Sequence, residues 1–464
     1  MTGRLRPLGV VFLAVWGVCS LGAQGWDGDQ ASLPVPATAA ARQSDFSAGL
    51  IAKTPVERLK AQSVKDPSGT TISVRLARQG VGETLLWELR WEPGSPWGAG
   101  TWVAFRDGLG RVREVRIILL EGSDNTDHKV GQAGTWLRLV PQTQGRGCRL
   151  DFFLAGRLVT GGWAVNASLV DVLASDDPWL WDTTSADLDW GALMPQRRWE
   201  DEKVEALQTR MHKLLSTVPE SKVTLWWPDP QSSPTGTSET GAPWGSWALI
   251  PGQDGNAVRG LGPWGVTLWA ATGVIRGWNG PFPTRESLIE QRITLPGYSQ
   301  AMVPDDLTAD PAFAMDWIRN LGLAVHQLLF PTRPQTDESA DLVGLPFLEV
   351  VPGAGYAVDD FPALVHLLAV TRPGQAYLAS LSVQQAGEKG SSSSVVFRAP
   401  AVLLPWVGTD QRVRISVYSG PKESTWEQWL AQVPKGRKGI RPDHVALTAL
   451  PLPAQVLLPV LPAR

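Results

Sequence analysis

Between residues 70 and 174 the chain repeats one signal: short runs rich in β-branched and aromatic residues, with turn residues between them and no helical period. The runs fall at 71–76, 84–91, 101–106, 112–120, 135–140, 149–154 and 165–173, with Asp107-Gly108, Gly145-Arg146-Gly147 and Gly161-Gly162 as turn signals. Strands that short and that regularly spaced fold into stacked or closed antiparallel sheets. A sandwich-like all-β domain is therefore expected over 70–175.

The rest of the chain reads differently. Residues 24–69 have no sustained period and are expected to form a leader with a short helix. A Trp-, Asp- and Pro-rich connection begins at Asp176, and Val204, Leu207, Met211, Leu214, Leu215 and Val218 then form a helical stripe. The face opposite carries Glu200, Asp201, Glu202 and Lys203, so residues 176–220 read as a connector whose amphipathic helix bridges two domains. From 221 to 464 helices and strands mix, which implies an α+β domain. Its helices are expected after Asp310-Pro311, after Asp359-Asp360 and at the box opened by Ser424 and closed by Glu427. Strands are expected at 376–383, 394–405 and 412–418. Four prolines in the apolar stretch 445–462 argue against a helix there, and so for extended chain on the domain surface.

At 464 residues the chain has length for two or three domains. Its beginning has the order of a secretory signal: Arg4 and Arg6, an apolar run from Leu8 to about Val18, then small residues to Ala23. Cleavage after residue 23 is expected, with export to the periplasm or beyond and no transmembrane segment in the mature chain. Removing Arg4 and Arg6 takes the formal charge from −3 to −5, which argues against nucleic acid as a partner. Of two cysteines, Cys19 leaves with the signal, and Cys148 alone can form neither an internal disulfide nor a thiolate metal cluster.

Catalytic patterns are sparse. No Gly-x-Ser-x-Gly elbow occurs, and five histidines (His128, His212, His326, His366, His444) serve the whole chain. The acidic loops Asp124-Asn125-x-Asp127 and Asp187-x-Asp189 lack the spacing of a calcium hand, and the paired carboxylates read as helix caps. No cofactor is implied. The distinctive residue is tryptophan, with 17 of 23 falling between Trp87 and Trp278. Those at Trp226, Trp227, Trp244, Trp247 and Trp264 cluster about a Ser/Thr/Gly/Pro-rich loop; they offer flat faces to sugar rings or peptide, or else fill a core.

Three segments resemble, in degenerate form, the NlpC family of papain-like cell-wall cysteine peptidases. Leu261-Gly262-Pro263-Trp264-Gly265-Val266 is similar to the turn into the family's nucleophile helix. Arg372-Pro373-Gly374-Gln375 is similar to its entry to the sheet, and Ala399-Pro400-Ala401-Val402 to the strand that supplies its histidine. Pro263 stands where that family has its cysteine and Ala399 or Pro400 where it has its histidine. The resemblance therefore implies a papain-like fold without thiol catalysis. Together these readings lead to an exported, non-catalytic binding or structural module of the cell envelope, its partner a cell-wall or glycan ligand or another envelope protein. The rival is a glycan- or peptidoglycan-acting hydrolase that uses carboxylates the sequence does not single out.

Overall fold

The computed structural model describes residues 42, 62–65, 71–81, 84–92, 101–107, 109, 111–120, 134–142, 147–174, 195–218, 226–228, 236–237, 243–244, 247–249, 262–281, 283, 285–292, 312–332, 341–342, 344–385, 394–432 and 443–459. Most of 62–92 and all of 226–249 are described by backbone alone. The signal and almost all of the leader lie outside these residues, as does 175–194 of the connector.

An antiparallel sheet is followed by a mixed helix and sheet region. The first sheet is a meander in which β1 (Gln62–Lys65), β2 (Thr71–Val81), β3 (Thr84–Glu92), β4 (Thr101–Arg106), β5 (Val112–Leu120), β6 (Thr135–Pro141), β7 (Cys148–Leu154) and β8 (Arg157–Val165) pair in sequence order. Period-two patterning sets its inner face: Val115 and Ile117, Leu137 and Leu139, Leu150 and Phe152 are buried in one cluster. All eight strands belong to one sheet, and the layer packed on its inner face is helical. Leu169, Val172 and Leu173 of α1 (Leu169–Ala174) join that cluster.

One expected strand run and one turn signal resolve differently from the expectation. Residues 165–173 end a strand and start α1, because Ser168 and Asp171 form a reciprocal cap: the Ser168 amide donates to Asp171 Oδ2 at 3.1 Å and the Asp171 amide to Ser168 Oγ at 3.2 Å. Gly161-Gly162 sits inside β8 at a bulge opposite Asp151. Gly162 has φ +86°, and a Cβ on Gly161 would lie 2.9 Å from the Asp151 Cα. The tight turn is Ala155-Gly156, both with positive φ.

The second sheet has the order β13-β14-β19-β15-β16-β17-β18, from β13 (Val350–Val351), β14 (Gly355–Ala357), β15 (Gln375–Gln385), β16 (Ser394–Val407), β17 (Val413–Tyr418), β18 (Glu423–Ser424) and β19 (His444–Pro451). On one face lie α2 (Trp199–Leu215), α3 (Pro263–Gly277) and α5 (Phe313–Leu329), while α4 (Arg285–Leu288) packs beside α5. On the other lie α6 (Phe361–Thr371) and α7 (Trp426–Leu430). The sequence places the start of β19 in a surface tail, yet it is an interior strand between β14 and β15. Ala399 adopts φ +49° at a bulge in β16, with its carbonyl held by Trp429 Nε1 at 2.8 Å. That extra residue returns Phe397 to the face shared by Val402, Leu404 and Trp406.

Helix α6 explains how the two regions meet. Ala363 and Leu367 belong to the first sheet's core, whereas Phe361, Leu364, Val365 and Leu368 belong to the second sheet's. A helix apolar on every side must be covered on every side, and this one is. Asp360 is its N-cap residue but makes no side-chain cap bond; its carboxylate lies 2.5 Å from Arg157 Nε of β8, across the seam. The helix read as the bridge, α2, instead buries Val204, Leu207, Met211 and Leu215 in the second region's core. Its Asp201 is fully buried and departs from the charged face expected of it: Oδ1 accepts the Val407 amide at 3.0 Å and Oδ2 the Arg198 amide at 2.7 Å.

Candidate functional site

The loop expected between Trp227 and Trp244 is built on two small ribbons. β9 (Trp226–Pro228) pairs with β12 (Trp247–Leu249), and β10 (Gly236–Thr237) with β11 (Pro243–Trp244). The register sets Trp226 opposite Leu249, Trp227 opposite Ala248 and Trp247 opposite Pro228, so Trp226 and Trp247 are diagonal neighbours. Trp244 is opposite Gly236. The side chains of these four tryptophans lie outside the described residues, as do Trp179, Trp181 and Trp190. Strand β9 runs beside α3, so the ribbon is anchored on the helical layer of the second region.

Trp264, the fifth candidate, is a core residue. It opens α3 one position after Pro263, is 8% exposed, and packs against Phe313 at 5.0 Å and edge-on to Trp317 at 6.1 Å between ring centroids. Its carbonyl accepts the Thr267 hydroxyl at 2.9 Å, and that hydroxyl oxygen accepts Trp317 Nε1–H at 3.0 Å. The structure thus separates Trp264 from the exposed uses proposed for the group and gives it to the α3–α5 interface.

Sequence reading missed a polar stripe on α5. Asp316, Arg319 and Asn320 are 1%, 5% and 4% exposed on a helix recognised by its apolar stripe alone. Asp316 Oδ1 accepts the Arg292 amide at 3.1 Å, and Asn320 Nδ2 donates to the carbonyls of Leu288 and Glu290, both at 2.9 Å. Arg319 grips Asp341 with two parallel bonds, Nε to Oδ1 at 2.7 Å and a second from Nη2 to Oδ2. Asp341 also borders a cavity of about 150 Å³ at the sheet edge, walled by Met315, Leu342, Leu447 and the β13–β14 turn from Val351 to Gly355. Its one charged wall residue is neutralised by Arg319, so the cavity is in effect apolar.

Cys148, Asp151 and Asp107 are each occupied by the fold. Cys148 is fully buried in the first sheet's core, and burial pushes its thiol up to about 11, the wrong direction for a nucleophile. Asp151 receives Arg138 at 2.7 Å, Arg149 at 3.0 Å and the Gly162 amide at 3.1 Å. Asp107 makes the β4–β5 turn, accepting the amides of Leu109 and Arg111 at 2.9 and 3.0 Å. Burial works to raise the Asp107 carboxyl, but the Arg111 amide and the guanidiniums of Arg111 and Arg113 hold it down to about 2. Among the described residues no three His, Cys, Asp or Glu side chains converge as metal ligands, and the loops 124–127 and 187–191 lie outside them.

Of the positions that carry the NlpC resemblance, Pro263 is the first residue of α3, Pro373-Gly374 leads into β15, and Ala399 is on β16. Helix α3 packs on β16 through the face of Val402, Leu404 and Trp406, while Ala399 packs in the opposite layer with α6 and α7. Comparison with family models, curated proteins and solved structures finds no match. Among the described residues no helix is long and apolar enough to cross a membrane.

Proposed function

We propose that the protein is an exported binding module of the cell envelope that holds its ligand without turning it over, and that the ligand is glycan or cell-wall material met by the tryptophans of 226–249. The observation that carries this reading is the build of that segment: two short ribbons set four tryptophans within a span of 22 residues, beside α3. Stacked indoles give large contact area to the flat faces of sugar rings, with an N–H left for a hydroxyl. The absence of turnover is supported by the chain's own residues. The one cysteine of the mature chain is an inert core thiol, the buried carboxylates of Asp107, Asp151 and Asp201 are committed to backbone amides and guanidiniums, and the half-buried Asp341 to the Arg319 guanidinium. On the NlpC resemblance, Pro263 at the start of α3 stands where a nucleophile would, which leads to the same reading.

Titrating soluble peptidoglycan and glycan fragments while following tryptophan emission tests it. Saturable quenching with no fragment turned over is expected. Turnover abolished by a single Asp or Glu substitution would establish the hydrolase instead.

A further inference from the structure

Strand alternation sorts the residues of the β9–β12 ribbon onto two faces. Trp226 is opposite Leu249 and Pro228 is opposite Trp247, so these four share one face, while Trp227 and Ala248 share the other. The first face therefore carries two tryptophans at diagonal positions, which lie about 7–8 Å apart in an antiparallel pair. An indole serves one sugar ring. Two at that spacing on one face serve two rings of a single chain.

The charge of the segment adds a second condition. Residues 226–258 include Asp229, Glu239 and Asp254 and no Lys, Arg or His. Helix α3, beside which β9 runs, contributes one charged residue, Arg276, in its last turn. The chain as a whole has a formal charge of −3. An acidic polymer approaching the ribbon would meet three like charges and no counter-charge from the segment, and like-charge juxtaposition is a means of rejecting a ligand.

We infer that the β9–β12 ribbon takes a sugar chain free of acidic groups and engages two consecutive rings of it through Trp226 and Trp247. The inference rests on the reading of 226–249 as a glycan-binding segment, and gives that ligand a minimum length and a charge class. Chains built from uronic acids, or joined through phosphates, are discriminated against.

The test follows tryptophan emission of the full chain at low salt, with chitin oligomers of one, two and four rings and with the tetramer oxidised to carboxylate at its primary hydroxyls. Only charge separates the two tetramers. The two-ring oligomer should bind at least tenfold more tightly than the single ring, and the neutral tetramer at least tenfold more tightly than the oxidised one. Asp229→Asn/Glu239→Gln/Asp254→Asn should close the second gap to within about twofold. Added salt should narrow that gap in the unmodified chain as well, so the charge claim does not depend on the variant. Equal binding of the two tetramers, or of one ring and two, overturns this inference and leaves glycan binding in place. No saturable response to any of these oligomers, nor to soluble peptidoglycan, overturns the underlying reading together with it.

Discussion

The ring of Phe152, on β7, meets that of Phe347 edge-on at 6.3 Å between centroids, across the seam between the two regions. The seam is apolar there, and α6 places Leu367 in the same cluster. Leu367→Ala should destabilise the protein by about 2–5 kcal/mol, the range for truncating a fully buried leucine. Because α6 belongs to both cores, the loss should lower one shared transition, with fluorescence and circular dichroism coinciding through denaturant unfolding. A variant in which the first sheet melts alone would show that α6 does not couple the regions.

Two aspartates should tilt stability with pH in opposite directions. The Asp107 carboxyl is held down to about 2, so its contribution is present above the ordinary carboxylate range and is lost as pH falls through about 2. Asp201 is shifted upward, with burial outweighing the Arg198 and Val407 amides. Its titration favours the fold at low pH and loses that contribution as pH rises through the raised value. Melting curves from pH 2 to 7 should therefore show the gap between native chain and Asp107→Asn widening with pH. For Asp201→Asn, loss of the carboxylate's desolvation cost should move the gap the other way as pH rises.

Cys148 should be silent in the native protein. With its thiol pushed up to about 11 inside the first core, iodoacetamide at pH 8 should label it only after denaturation. Labelling of the native chain at the rate of a free thiol would contradict the burial.

Much of the architecture can be read from periodicity. Alternation marks β5 and β6 because each has one face on the core, and the stripe Val204, Leu207, Met211, Leu215 marks α2 because that helix covers a single surface. What periodicity could not show was position. Leu364 and Leu367 look alike in sequence, yet they face different cores, and only the tertiary arrangement separates them. Asp201, Asp316 and Arg319 break the pattern for the same reason, since a charge is read as exposed unless its buried partner is known, and their partners lie at Val407, Arg292 and Asp341. Ser168 and Asp171 were a legible cap, hidden by the β-rich residues on either side. Trp264 shows the limit for the site: clustering in sequence drew it to its neighbours at 244 and 247, while folding sent it to Phe313 and Trp317.

The two roles of tryptophan should separate on substitution. Trp264→Ala should cost about 3–5 kcal/mol, as for other large buried aromatics, and lower the melting temperature sharply. Trp226→Ala and Trp247→Ala, on the short β9–β12 ribbon, should leave melting within a few degrees of the parent and reduce ligand binding instead. Equal loss of stability in all three would place the ribbon tryptophans in the core.

Tryptophan-emission titration with soluble peptidoglycan fragments, run beside product analysis of the same mixtures, tests the central claim most directly. A non-catalytic envelope-binding module predicts saturable quenching that Trp226→Ala/Trp247→Ala removes, with every fragment recovered intact. Cleaved fragments, or quenching that survives loss of both tryptophans, would contradict it.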